Sequence, residues 1–103
     1  MNTKRIEMLK KFMQEDPQDP FPVYALALEY QATDPQKARL LFEQLLTNHP
    51  DYLPVYYMAG VFFVDQNEIA FGTRILERGL NLAKAQNNQA TWREIKGVLD
   101  SLE

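Results

Sequence analysis

Apolar residues recur along the chain at three- and four-residue spacings, interrupted by short polar breaks built from Asp-Pro pairs and Asn-rich turns. That period is helical, and no stretch between turn signals alternates as a half-buried strand would. The pattern predicts an all-α chain of about six helices. The first, over 3–15, places Ile6, Leu9, Phe12 and Met13 on one stripe and stops at Asp16-Pro17, because a residue before proline is pushed out of helical space. Asp19-Pro20 opens the second. There the Asx oxygen can accept orphan N–H groups, and proline takes a first-turn place that needs no donor.

Asp34-Pro35 repeats that device, opening a helix through Ala38, Leu41, Phe42, Leu45 and Leu46 that ends near Asn48-His49-Pro50. Asp51 is expected to cap the fourth helix, with Pro54 in its first turn. Asp65-Gln66-Asn67 breaks the chain, the fifth helix runs from Glu68 to about Gln86, and Gln86–Gln89 is another break. The last helix, 90–102, carries Trp92, Ile95, Leu99 and Leu102. Breaks this short make neighbours antiparallel, so the helices pair as hairpins.

The hairpins repeat. Ala38, Phe42, Leu45 and Leu46 are followed 34 residues later by Gly72, Leu76, Gly79 and Leu80, and Pro22-Val23-Tyr24 recurs 32 residues later as Pro54-Val55-Tyr56. This period points to a solenoid of helix hairpins. The first copy reads Val23-x2-Leu26-Ala27-x2-Tyr30, then Ala38-x3-Phe42, then Pro50. The second reads Tyr56-x2-Ala59-Gly60-x2-Phe63, then Gly72-x3-Leu76, with Lys84 in place of the closing proline. On these residues the chain resembles the tetratricopeptide repeat family, including its short bacterial members, although both copies lack the family's tryptophan.

The resemblance implies a tetratricopeptide-like superhelix in a single domain over 1–103, with a flanking helix over 3–15 and a capping helix over 90–102 as half-repeats. Repeat one would cover 20–50 and repeat two 52–86. Leu26, Ala27, Tyr30, Ala38, Phe42, Pro50, Ala59, Gly60, Phe63, Gly72, Leu76 and Gly79 are its structural positions. Gly60, Gly72 and Gly79 lie inside helices, where each costs about 0.8–1 kcal/mol against alanine. Close helix approach is the expected compensation.

From Tyr52 to Val64 every residue is apolar, aromatic, glycine or proline, as expected of a helix covered on all sides. Tyr56, Ala59, Gly60 and Phe63 are expected inside the hairpin. Tyr57, Met58, Val61 and Val64 are left over. In a helical solenoid the first helices line the concave wall, which places these four beside Tyr24 and Leu28. Three covers for such a wall stay open: another helix of the same chain, an apolar or amphipathic peptide, or a second copy in a homodimer. Some family members grip a terminal carboxylate with lysine and asparagine on this wall. Tyr24, Leu28 and Tyr57 supply no cation there, and Arg93 offers one charge at its end.

Composition narrows the chemistry. One hundred and three residues leave room for one domain, and the absence of cysteine excludes thiolate chemistry and fits a cytoplasmic setting. Net charge is −3, with residues 1–11 at +3 and the remainder at −6. Lys4, Arg5, Lys10 and Lys11 read as a solvated helix face with a Glu7–Lys11 pair, too confined for a nucleic-acid surface. No apolar run reaches membrane-spanning length. His49 has no second histidine or nucleophile beside it, and Asp16, Asp19, Asp65 and Glu68 read as turn and cap residues. No metal, cofactor or catalytic motif is present, so the expected partner is a protein, and the expected role is non-enzymatic.

Overall fold

The computed structural model describes residues 2–103, which form six helices and no strand. They are α1 (Thr3–Glu15), α2 (Pro20–Tyr30), α3 (Pro35–Asn48), α4 (Pro54–Asp65), α5 (Ile69–Ala85) and α6 (Gln89–Ser101). Two compact units divide them, one ending at Tyr52 and the other spanning Leu53–Glu103.

In the first unit α2 packs against both α1 and α3. Its helix starts are set by side-chain oxygens: the N–H groups of Arg5, Phe21 and Lys37 donate to Asn2, Asp19 and Asp34 at 3.0, 3.0 and 3.3 Å. Asp16 accepts from the Gln18 N–H at 3.2 Å, so it shapes the turn between α1 and α2. The core holds Ile6, Leu9, Leu26, Ala27, Tyr30, Ala38, Phe42 and Leu45. Phe12 departs from the expected stripe and is 42% exposed, with Met8 beside it at 55%. The turn of α1 that meets α2 is filled by Ile6 and Leu9, which leaves Phe12 at the stripe's edge. The Glu7–Lys11 pair is absent among the described residues, and Arg5 instead holds Glu29 of α2 at 2.8 Å.

In the second unit α5 packs against α4 and α6, and α4 also meets α6. Fully enclosed here are Val55, Tyr56, Ala59, Phe63, Leu76 and Ile95. Phe63 sits edge-on to Phe62 and to Phe71, with centroids 5.3 and 4.7 Å apart. Asp51 does not cap α4. The helix starts one residue past Leu53, a position without a capping oxygen, and Pro54 removes one of the donors a cap would serve. Glu68 likewise occupies the start of α5 without a side-chain cap bond. Both helices of this hairpin owe their starts to packing.

Two ends share one device. Asn67 and Asn87 are left-handed, with φ of 65° and 57°. At the end of α4 the Glu68 and Asn67 N–H groups donate to Phe63 and Val64 carbonyls; at the end of α5 the Asn88 and Asn87 N–H groups donate to Ala83 and Lys84. Each is a Schellman closure with asparagine where glycine is more usual.

The helix crossing leaves no room at three glycines. A Cβ on Gly72 would stand 2.7 Å from the Gly60 carbonyl oxygen and 2.9 Å from the Val64 nitrogen. On Gly79 it would stand 2.5 Å from the Cβ of Tyr56, and on Gly60 2.5 Å from the Leu76 side chain. Around Gly97 of α6 there is nothing within 4 Å.

Alanine should therefore act in opposite directions along one chain. Gly97→Ala should stabilise by about 0.8–1 kcal/mol through helix propensity alone. At Gly72 the obstacles are backbone atoms, so overpacking of about 1–3 kcal/mol should outweigh that gain and lower stability. Urea unfolding of the two variants checks this, and a stabilised Gly72→Ala would refute the close crossing. A second pair of variants reads the closures: Asn67→Gly should be neutral or stabilising, whereas Asn67→Val should lose about 1–2 kcal/mol, because a β-branched residue resists positive φ.

Candidate functional site

α4 shows how a nearly uncharged helix is divided between core and surface. At about 100° per residue, Tyr57, Val61 and Val64 fall within about 60° of each other, with Met58 at the edge of the same strip. Val55, Tyr56, Ala59, Gly60, Phe62 and Phe63 are buried, while Tyr57, Met58, Val61 and Val64 are all half-buried. Within the chain, the expected cover on all sides is incomplete. One strip retains access to solvent, and at Val64 it borders the Gly60–Gly72 crossing, since a Cβ on Gly72 would stand 2.7 Å from the Val64 Cγ2.

The first unit has a smaller counterpart. Tyr24 and Leu28, one turn apart on α2, are also half-buried. They stand at the same register in the first repeat motif as Tyr57 and Val61 do in the second. Tyr24 meets the edge of Tyr52, with centroids 5.8 Å apart and planes at 72°. Burial raises the pKa of the Tyr52 hydroxyl above the ordinary 10.0, and the nearby Asp19 carboxylate pushes it the same way. The Tyr52 hydroxyl therefore stays neutral through the physiological range.

Of the structural repeat positions, Leu26, Ala27, Tyr30, Ala38, Phe42, Ala59, Gly60, Phe63, Gly72, Leu76 and Gly79 are buried, and Pro50 is exposed in its turn. Tyr56 stands in the second copy where the family's tryptophan would be. It is 2% exposed, with its Cβ against Gly79 and the Arg78 guanidinium 5.5 Å from its ring centre. His49 ends α3, donating its N–H to the Leu45 carbonyl at 2.8 Å. Among the described residues no three His, Asp or Glu side chains gather where they could hold a metal ion. No helix there is long and apolar enough to cross a membrane.

The second unit also carries a feature that periodicity did not reveal. Where α5 turns into α6, Lys84, Asn87, Gln89, Trp92 and Arg93 line an open hollow of about 430 Å³. From the sequence, Arg93 reads as one charge at the end of the concave wall. Its neighbours across the turn become visible only once the two helices are folded back on each other.

No protein-family model matches the chain. No curated protein matches it either. Among solved structures, it is similar to the solution structure of a tetratricopeptide repeat domain protein from Salinibacter ruber. The two are 30% identical, with a TM-score of 0.79, over 85% of this chain and 90% of that one. A crystal structure of a tetratricopeptide repeat domain protein from the same organism matches at 29% identity and a TM-score of 0.75, over 82% of this chain and 99% of that one. The repeated hairpins, their small residues at the crossings and this likeness over nearly the whole of a relative agree: the all-α chain belongs to the tetratricopeptide repeat family.

Proposed function

We propose that the protein is a non-enzymatic protein-interaction module that receives an apolar or amphipathic segment on the first helices of its repeats. The fold is generally one of protein interaction. One observation carries the specific reading: Tyr57, Met58, Val61 and Val64 form an uncharged strip that stays half-exposed on a helix whose other faces are buried. Tyr24 and Leu28 present the same register on α2. An uncharged strip like that on α4 is costly to leave in water, and an entering helix or extended peptide would cover it. The absence of cysteine suits work in the reducing cytoplasm.

The strip is tested by the double variant Tyr57→Ser, Val61→Ser. Both side chains are half-buried, so their loss should cost roughly 2 kcal/mol and leave the chain folded. The variant should fail to capture the protein that the unaltered chain retains from a lysate of its source. Light scattering at two concentrations separates a foreign partner from a second copy: concentration-dependent dimers abolished by the same variant would assign the strip to self-association. Global unfolding of the variant would show that the strip belongs to the core and would overturn the proposal.

A further inference from the structure

The hollow between α5 and α6 concentrates positive charge without offsetting it. Lys84 lies in the last turn of α5, where a cation opposes the negative end of the helix. Arg93 has no such excuse. It stands about one turn into α6, near the helix's positive end, where a cation is disfavoured and acidic residues are the usual choice. The first turn of α6 contains no acidic residue, and no carboxylate lines the hollow. Neither Lys84 nor Arg93 has an ion-pair partner among the described residues, in a chain whose net charge is −3. Glu94 follows Arg93 in sequence but is not part of the lining.

The remaining surface is of a different kind. Trp92 is half-buried and gives the hollow an apolar wall, and Asn87 and Gln89 add amides that donate as well as accept. The Asn88 oxygen is already engaged by the Thr91 N–H at 3.0 Å, so it caps the helix and leaves Asn87 and Gln89 as the amides facing a ligand. A volume of about 430 Å³ is in the range of a site that holds a few side chains. Two unpaired cations beside one indole ring match a segment that carries carboxylates next to a large apolar residue.

From this we infer that the α5–α6 hollow is a second docking point, and that it receives an acidic-apolar segment of a protein partner, with glutamate or aspartate against Lys84 and Arg93 and an aliphatic or aromatic side chain on Trp92. The inference rests on the interaction-module reading above and adds the charge of the partner to it. Inorganic phosphate shares the anionic chemistry but offers nothing to the indole.

Trp92 is the only tryptophan in the chain, so its fluorescence reports on the hollow directly. The probe is a peptide of alternating leucine and glutamate, acetylated and amidated at its ends, compared with its leucine–lysine counterpart and with inorganic phosphate. The acidic peptide should shift Trp92 emission saturably, and the double variant Lys84→Glu, Arg93→Glu should weaken it at least tenfold. Both side chains are exposed, and a thermal melt verifies that this variant is folded. Lys4→Glu with Lys11→Glu makes the same charge change on α1 and should leave the affinity within twofold. The inference is overturned by an absent shift, an equal response to the lysine peptide, an equal loss in the α1 variant, or a phosphate response at lower concentration than the peptide's. If the Lys84, Arg93 variant binds normally while Tyr57→Ser, Val61→Ser loses its partner, the hollow is dismissed and the strip stands. Loss of neither function dismisses both.

Discussion

The contact on which the second unit depends is between two backbones. The carbonyl of Gly60 and the chain at Gly72 approach so closely that a single methyl group on Gly72 would sit 2.7 Å from that oxygen. Such an approach fixes the rotation of α4 about its own axis. Once Gly60 faces α5, Tyr56 and Phe63 lie on one flank of the crossing, Val64 packs on Gly72 at the other, and Tyr57 and Val61 turn progressively outward beyond it. The strip proposed to bind a partner is thus a geometric consequence of where the small residues fall, and its apolar character is a separate choice. A polar residue at Tyr57 or Val61 would leave the crossing intact, whereas Val64 is part of it. That Tyr57 and Val61 are both apolar is what calls for an occupant.

Glycine alone would not have revealed this. Four glycines occur in the chain, and each weakens its helix by about the same propensity cost. Three of them face obstacles at 2.5–2.7 Å, while Gly97 faces open space. The repeat spacing separates the two kinds, because Gly60, Gly72 and Gly79 fall at corresponding places in a hairpin and Gly97 does not. At Gly79 the space is filled by Tyr56, a large ring in the place of the family's tryptophan. Packing one large residue against one absent side chain is how the hairpin offsets the helix propensity it gives up.

The helix order was legible because its punctuation is chemical. Asp19-Pro20 and Asp34-Pro35 combine an acceptor with a residue that lacks a donor, and their helices begin at those prolines. Asp51 misled because its spacing to Pro54 is longer; the helix begins where packing of Leu53 and Val55 places it. Phe12 misled for another reason. Periodicity defines a stripe but not its width, and α1 has a neighbour in α2 wide enough to cover only Ile6 and Leu9 fully. The half-exposure of Tyr57 and its companions was foreseen as a leftover face. The hollow at α5–α6 was invisible, since Lys84, Asn87 and Arg93 share no period and meet only across a turn.

That turn is where the second repeat abandons the pattern of the first. In repeat one, α3 ends after 14 residues and Pro50 follows; in repeat two, Lys84 stands in the proline's place and α5 continues to 17 residues. A lysine keeps its N–H and can extend a helix that a proline would end. The extension moves the turn, carries Lys84 to the rim of the resulting hollow and requires a left-handed Asn87 to reverse the chain. Sequences that fold well satisfy local and global preferences together, and sites of function are where one preference is given up. Here the repeat gives up its proline, and with Arg93 it gives up favourable charge at a helix start. Both departures converge on the same few residues, while the crossing glycines one hairpin face away keep to the pattern.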